Sequence, residues 1–372
     1  MIYFLPDNGR YKREGGNNYM TFYQELQLNQ SGSKNLIKNT SEKKERIYHI
    51  MVYLFKILLT MAFCMIFVIG YTQLFGEDNS ITGVVVLLCV MVFRYADFGI
   101  QTREGIRILF LIFGMLAVGP RLANELNPTG GLIINLVFIG ALVFLGCHNV
   151  MMANHSTLVL GYLLFYGYDV TGRAYLLRIV GLAAGAVVTA VVYYRGHHHK
   201  EYKRNIKSIR EEIRLDSSRT RWQFTLTIGV ATILYFFEVF HLPRGMWAGI
   251  AAMSVLLPFQ SDLKDRVKKR IPGNIAGGII FLAISLVLPE SFYSYIGILG
   301  GIGVGLSATY QWQAVFNSLG AMAIAVGFLG VPGAVFFRIF NNICGSVYGQ
   351  MMEKTVNGLI DKTTGRSDKG KY

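Results

Sequence analysis

The sequence predicts an all-α integral membrane protein with about twelve transmembrane helices in two six-helix halves. Three observations support this prediction. The 372-residue chain is 52% hydrophobic and 16% charged, whereas soluble domains carry about 25% charged residues. Its apolar residues occur in runs close to the ~20 residues that a helix needs to cross a bilayer. Its basic residues also concentrate in alternate loops, as repeated crossings require.

The order of polar and apolar segments predicts five regions. Residues 1–49 form a basic, polar cytoplasmic tail without the apolar core and cleavage site of a signal peptide. Residues 50–194 form the first membrane half, and residues 221–351 form the second. Basic cytoplasmic segments occupy the linker 195–220 and the carboxy-terminal tail 352–372. The expected spans lie at about 50–73, 79–93, 105–119, 130–147, 156–168, 175–194, 221–241, 245–259, 271–289, 292–307, 312–330 and 333–351.

The net charge of +14 reflects membrane topology rather than nucleic-acid binding. Basic residues collect in both tails, in the linker and in 261–270, and such clusters beside apolar spans mark the cytoplasmic side. The loops expected outside hold few basic residues, namely Arg121, Arg173 and Arg244. We therefore predict a multi-pass plasma-membrane protein with both termini in the cytoplasm and with anionic lipid at the cytoplasmic face. No nucleic-acid partner is expected, and a homo-oligomer is compatible with the sequence.

A short motif recurs at four of the predicted helices. It consists of Arg-Ile with a glycine seven residues after the arginine. The four copies are Arg107-ILFLIF-Gly114, Arg178-IVGLAA-Gly185, Arg270-IPGNIA-Gly277 and Arg338-IFNNIC-Gly345. They open the third, sixth, ninth and twelfth spans, so successive copies begin on opposite sides of the membrane. This arrangement predicts a 3+3 inverted repeat within each half.

Arginines inside the apolar helices are the leading candidates for substrate contact. Arg338 and Arg178 each follow apolar residues at the start of a span, and an ionisable group within a membrane usually faces protein or water. Asn342 lies one helical turn after Arg338, next to Asn341. A guanidinium flanked by amides suits a carboxylate, because it donates two parallel hydrogen bonds. We predict that these four residues bind an organic anion, with interhelical hydrogen bonding as the alternative for the amides.

Arg270 and Arg107 lie nearer to the expected membrane boundary. One interpretation is an arginine that snorkels to lipid phosphate, and the alternative is a gate or packing element. Gly273 and Gly277 follow Arg270 and allow neighbouring helices to approach closely. We therefore assign both arginines and both glycines to gating or packing.

Carboxylates are scarce in the apolar runs, and Glu238 is the best candidate for proton coupling. Trp222, Trp247 and Trp312 lie near span ends and are expected as interfacial anchors. The sequence contains no Walker A, H-E-x-x-H or G-x-S-x-G motif, so we expect no enzyme. Its four cysteines show neither a disulfide framework nor metal-ligand spacing. We expect no cofactor and no metal.

The stretch RGMWAGIAAMSVLLPFQSDLKDRVKKRIPGNIAGGIIFLAISLVLPE (244–290) resembles the fusaric acid resistance (FUSC) family, which includes aromatic acid exporters. In that family, a tryptophan-containing span, a polar loop and an arginine precede Gly-Thr at the start of a glycine-rich helix. Arg270, Gly273 and Gly277 fit this pattern, whereas Asn274 stands where threonine is usual. The linker is much shorter than the cytoplasmic domain of the larger exporters. The resemblance implies efflux of small organic or aromatic carboxylates, driven by an ion gradient.

Two other functions stay open. Plant malate channels are distantly similar to this family, which leaves passive conduction of organic anions as an alternative. A non-transporting membrane scaffold or accessory protein is the third function. Saturable flux distinguishes the carrier from the channel, and dependence on Arg338 distinguishes both from the scaffold.

Overall fold

The computed structural model describes residues 20–258, 263–307 and 309–363, and over these residues its regular secondary structure is entirely helical. The α-helices are α1 (Phe22–Gln27), α2 (Gln30–Asn39), α3 (Lys43–Phe75), α4 (Ser80–Phe93), α5 (Thr102–Glu125), α6 (Pro128–Gly146), α7 (His155–Gly167), α8 (Gly172–His197), α9 (Ile206–Glu211), α10 (Ser218–Val239), α11 (Gly245–Val255), α12 (Leu263–Val287), α13 (Tyr293–Leu306) and α14 (Tyr310–Thr363). The predicted all-α class is confirmed.

Each predicted apolar run has a helical segment at its position. Seven helices, namely α3, α5, α6, α8, α10, α12 and α14, are long and apolar enough to cross a membrane. The helices α4, α7, α11 and α13 are shorter. Large apolar side chains such as Leu286 and Val287, each 81% exposed, suit contact with lipid. The chain is thus a multi-pass membrane protein, whereas twelve complete crossings and the 3+3 repeat stay predictions.

Helix α14 folds the last two predicted spans into a hairpin. Gly330 interrupts the helix with φ 66° and ψ 171°, a backbone conformation that glycine adopts without steric cost. Pro332 follows in the first turn of the second limb, where its missing N–H matters least. Arg270 donates hydrogen bonds to Tyr310 on the first limb and to Asn342 on the second. Because one side chain reaches both, the two limbs run side by side in opposite directions.

The structure divides into two compact units, Met1–Ile66 and Phe67–Tyr372. The described part of the first unit contains α1, α2 and the start of α3. The side chains of Thr21 and Asn29 accept hydrogen bonds from the first turns of α1 and α2, which satisfies backbone donors that would otherwise lack partners. The polar tail therefore contains capped helices, and the predicted boundary at residue 50 lies inside α3.

Helices of the second unit pack against one another both within and between its two halves, as α6 does against α10. Helix α4 packs against α7 and α8, and α11 packs against α10 and α14. Helix α12 packs against α14, which also contacts α13. Aromatic side chains fill much of the interior, and Phe93, Tyr162, Tyr193, Trp247 and Phe281 are completely buried or nearly so.

Three of the four motif glycines lie where helices touch. A Cβ atom added at Gly345 would meet the backbone of α11, and one added at Gly185 would meet a valine side chain of α4. At Gly277 and Gly273 the added atom would lie 2.7 Å and 2.6 Å from carbonyl oxygens of α14. Gly114 has no such neighbour within 4 Å among the described residues. Close helix contact therefore accounts for three copies of the motif glycine.

Candidate anion-binding site

Arg338 is a buried arginine on the second limb of α14, about two turns after the bend. Only 6% of its surface is exposed. Its guanidinium lies 5.2 Å from the ring centroid of Trp247, and its Nε donates a hydrogen bond to Ser318 Oγ at 3.4 Å. Within the described part of the chain, neither terminal nitrogen has a hydrogen-bond acceptor and no carboxylate pairs with the charge. These donors are therefore available to a ligand.

Arg270 on α12 adds a second guanidinium to the same region. Its charge acts electrostatically on Arg338, and its surface is 9% exposed. One terminal nitrogen donates to the Tyr310 hydroxyl at 2.9 Å, and the other donates to Asn342 Oδ1 at 3.0 Å. Its Nε is buried without an acceptor among the residues described. Because like charges repel more strongly away from water, a bound anion would stabilise this arrangement.

A chain of buried amide and hydroxyl groups holds the two arginines in place. Ser318 donates to Asn274 Oδ1 at 2.6 Å, and Asn274 Nδ2 donates to the backbone carbonyl of Arg270 at 2.8 Å. Asn342 Nδ2 donates to the backbone carbonyl of Arg338 at 2.7 Å. The predicted pair Arg338 and Asn342 therefore meets through the backbone, while the Asn342 side-chain oxygen faces Arg270.

The arginine cluster consists of Arg338 and Arg270 with the side chains around them, namely Asn274, Asn342, Ser318, Tyr310 and Trp247. Its chemistry suits a carboxylate. Two terminal nitrogens of one guanidinium match the two oxygens of a carboxylate, and burial strengthens the resulting charge-assisted hydrogen bonds. The ring of Trp247 provides an aromatic surface beside Arg338. In the regions that the structure describes, no group of three His, Cys, Asp or Glu side chains is placed to hold a metal ion.

Arg178 occupies the equivalent motif position in the first half and has protein partners. Its surface is 2% exposed. Its Nε donates to Asn79 Oδ1 at 3.2 Å, and Nη2 donates to the backbone carbonyl of Tyr168 at 2.8 Å. The negative charge of Asp169 also acts favourably on it. The ring of Tyr168 lies within the electrostatic reach of Arg338, which links Arg178 to the arginine cluster through one residue.

The remaining predicted residues lie outside the arginine cluster. The side-chain nitrogen of Asn341 donates to two backbone carbonyls of the loop before α11, each at 2.9 Å. Arg107 is exposed on α5. Glu238 is exposed near the end of α10, and the Tyr166 hydroxyl lies 3.5 Å from one of its oxygens. Their predicted roles in binding, gating and proton coupling stay predictions.

The sequence did not predict three members of the arginine cluster, namely Ser318, Tyr310 and Trp247. Ser318 and Tyr310 carry no motif, and only the hairpin of α14 brings them beside α12.

Trp247 is 2% exposed and Trp222 is 6% exposed, so the prediction that these two are interfacial anchors is wrong. Their indole rings fill space between helices, where apolar area is removed from solvent. Trp312, at 53% exposed, keeps a position compatible with an anchor.

A second polar cluster joins the loops at the end predicted to be cytoplasmic. Asp97 accepts hydrogen bonds from Asn149 at 3.0 Å, from Tyr202 at 2.8 Å and from the Gly99 N–H at 2.9 Å, and Lys200 lies 3.4 Å away. Burial raises the pKa of Asp97, but these hydrogen bonds and the lysine charge outweigh burial and hold the pKa below its ordinary value. The predicted linker is therefore bound to the loops of the first half.

Comparison with protein families singles out the half that contains the arginine cluster. Residues 230–352 match the profile of the family described as fusaric acid resistance protein-like. That segment is fusaric acid resistance protein-like. The predicted resemblance is thus confirmed for residues 230–352, and this segment contains both arginines of the cluster. No curated protein and no solved structure matches the chain. The chain is therefore a multi-pass membrane protein with a fusaric acid resistance protein-like segment in its second half.

Proposed function

We propose that the protein exports small organic carboxylates, including aromatic ones, across the plasma membrane in response to an ion gradient. The proposal rests on one observation. Two buried guanidiniums, those of Arg338 and Arg270, lie together, and among the described residues no carboxylate pairs with either. An unpaired buried charge is unfavourable, so an anionic substrate is the partner that this arrangement lacks.

Each arginine takes a distinct role in this proposal. Arg338 binds the carboxylate through its two terminal nitrogens, and an aromatic substrate packs against Trp247. Arg270 adds a second positive charge. It also ties α12 to both limbs of α14 through Tyr310 and Asn342. A substrate that competes for Arg270 weakens this connection and lets the limbs separate, which is the proposed gating step. Gly273 and Gly277 keep α12 close enough to α14 for the connection to form.

Arg178 and Asn341 contribute to the arginine cluster less directly. Arg178 bonds to Asn79 and to the Tyr168 carbonyl, and in this proposal it positions Tyr168, whose ring is within the electrostatic reach of Arg338. Asn341 donates hydrogen bonds to two backbone carbonyls of the loop before α11 and thereby fixes this loop beside the helix that bears Arg338.

Glu238 is the proposed proton-coupling residue. It is an ionisable carboxylate on the wall of a cavity at the end of α10. We expect Glu238→Gln to remove the response of transport to an imposed pH gradient while carboxylate binding at the arginine cluster persists. Uptake by proteoliposomes with and without a pH gradient measures the first quantity, and ligand-induced thermal stabilisation measures the second. Unchanged coupling in the variant would remove Glu238 from the mechanism.

Passive conduction of organic anions is the second candidate, and the position of Glu238 favours it. This carboxylate is exposed, whereas a coupled carrier often uses a titratable group inside the membrane. Flux that rises without saturation and carries net current indicates a channel. Flux that saturates and follows the ion gradient indicates a carrier.

Thermal stabilisation by a panel of aromatic and aliphatic carboxylates tests the shared part of both candidates. A ligand at 100 times its dissociation constant stabilises the folded protein by about 2.7 kcal/mol. We expect Arg338→Gln to remove this stabilisation. Arg107→Gln is the matched control, because Arg107 holds the same motif position but is exposed, and it should respond as the wild type does. If no acid stabilises the folded wild type, the scaffold function is favoured instead. If Arg338→Gln responds as the wild type does, the carboxylate binds elsewhere and the proposed site is wrong.

A further inference from the structure

A cavity of about 310 Å³ lies at the end of the second unit that is predicted to face outside. Its walls come from the ends of α5, α7 and α10 and from the start of α11. Its polar lining includes Asn124, Tyr166, Glu238 and Arg244, and its apolar lining includes the half-buried Leu242. Concave sites of about 300–1,000 Å³ are typical of small-molecule binding.

Arg244 lines this cavity, and its guanidinium donates a hydrogen bond to the carbonyl of Gly167, another lining residue. Its backbone adopts φ 59°, which is uncommon for a residue with a side chain. Asn341 holds this conformation by donating to the carbonyls of Pro243 and Arg244, each at 2.9 Å. The guanidinium lies 5.1 Å from the ring centroid of Tyr168 and 4.6 Å from that of Phe328. Its hydrogen bonding to described residues consists of one contact of 3.4 Å to a backbone carbonyl of α7, so most of its donors are available.

Glu238 presents the opposite charge to the same cavity. Within the described ranges it forms no ion pair, and its one hydrogen bond comes from the Tyr166 hydroxyl at 3.5 Å. Asn124 lines the same cavity and uses its side-chain nitrogen to bond the Tyr166 carbonyl at 2.9 Å. The cavity therefore carries a guanidinium and a carboxylate that do not pair with each other. Contact with the two aromatic rings keeps Arg244 where it is.

We propose that this cavity binds a small zwitterion with an apolar body. The carboxylate of the ligand bonds to Arg244, its ammonium group bonds to Glu238, and its apolar body packs on Leu242. Charge-assisted hydrogen bonds are stronger than neutral ones, so a ligand with both charges gains two such contacts where a simple acid or amine gains one. This outer site is separate from the arginine cluster, and the proposal does not depend on carboxylate export.

Three compounds with the same phenyl body test the proposal: phenylalanine, 3-phenylpropionate and phenethylamine. Binding is measured at neutral pH by thermal stabilisation of the purified full-length protein. We expect phenylalanine to bind at least about tenfold more tightly than either of the others, as one added charge-assisted contact predicts. In Glu238→Gln, phenylalanine should lose its advantage over 3-phenylpropionate. In Arg244→Gln, it should lose its advantage over phenethylamine.

Two further variants separate this site from the arginine cluster. Glu77→Gln changes an exposed acid in a different outer loop and should leave all three affinities as in the wild type. Arg338→Gln should weaken 3-phenylpropionate if the arginine cluster also binds it, yet it should keep the preference for phenylalanine. The proposal is overturned if phenylalanine does not stabilise the wild type, if Glu238→Gln keeps the preference, or if Arg338→Gln abolishes phenylalanine binding. The last two results leave carboxylate binding at Arg338 to be judged on its own test.

Discussion

Two arginines at the same position of a repeated motif have opposite surroundings. Arg178 and Arg338 are 2% and 6% exposed. Arg178 bonds to Asn79 and to the Tyr168 carbonyl and experiences the charge of Asp169. Arg338 bonds to one hydroxyl, has a second guanidinium nearby and has no acidic partner among the described residues. The first half thus uses its arginine to hold helices together, whereas the second half leaves the terminal nitrogens of its arginine without a partner among the described residues.

The other pair of motif arginines shows a related difference. Arg107 in the first half is exposed, whereas Arg270 in the second half is buried at 9% exposure. Positive charge is therefore concentrated inside the second half, and the fusaric acid resistance protein-like match covers this half. Four copies of one motif have thus reached different environments, and their chemistry follows from those environments rather than from the motif.

The largest expected effect concerns the motif glycines, which also differ between the halves. A Cβ at Gly345 would meet the backbone of α11, whereas one at Gly114 would have no described neighbour within 4 Å. We expect Gly345→Leu to lower the free energy of unfolding by about 3 kcal/mol or more, because the backbone must move to admit the side chain. Gly114→Leu should change it by less than about 1 kcal/mol. Thermal unfolding in detergent measures both, and equal losses would contradict the packing difference.

A smaller effect is expected at the loops of the first half, where Asp97 has several hydrogen-bond donors. We expect Asp97→Asn to lower the free energy of unfolding at pH 7 by about 1–3 kcal/mol. The folded-state pKa of Asp97 lies below its ordinary value. Its stabilising effect is therefore complete above the unfolded pKa of about 3.9 and is lost as the pH falls through the folded-state pKa.

Thermal unfolding at pH 7 and in the acid range measures this effect. The difference between the wild type and Asp97→Asn should shrink as the pH falls below about 4. Asp265→Asn is the control, because that carboxylate is 61% exposed and pairs with Lys269 on the surface. It should behave as the wild type at neutral pH. A constant difference between the wild type and Asp97→Asn across the acid range would show that ionisation of Asp97 is not responsible.

The smallest effect is expected at Arg107. Because this side chain is exposed, Arg107→Gln should leave both the melting temperature and carboxylate binding close to their wild-type values. Thermal unfolding with and without a carboxylate measures both quantities. Loss of binding in this variant would show that the first half also contributes to carboxylate binding, which would contradict the proposed difference between the halves.

Local signals allowed much of the fold to be predicted. Apolar runs fixed the positions of the helices because burial and lipid contact act on each run separately. The bend of α14 also has a local cause, since Gly330 and Pro332 favour a turn and a new helix start. The capped helices of the amino-terminal tail were less visible because their sequence is polar and short.

The arginine cluster could be predicted only in part. Arg338, Arg270 and Asn342 stood out because charge and amides are rare in apolar runs. Their partners Tyr310 and Ser318 did not, because their role depends on contacts between residues far apart in the chain. The different surroundings of the four motif arginines likewise depend on tertiary packing, which the motif does not encode.

The most direct test of the difference between the halves is thermal unfolding of Arg178→Gln and Arg338→Gln without added carboxylate. We predict that Arg178→Gln lowers the free energy of unfolding by about 3 kcal/mol, because buried hydrogen bonds to a charged group are lost. Arg338→Gln should leave the free energy of unfolding unchanged or raise it, because repulsion from Arg270 is removed. A loss of the same size in both variants would contradict the claim, since Arg338 would then serve folding as Arg178 does.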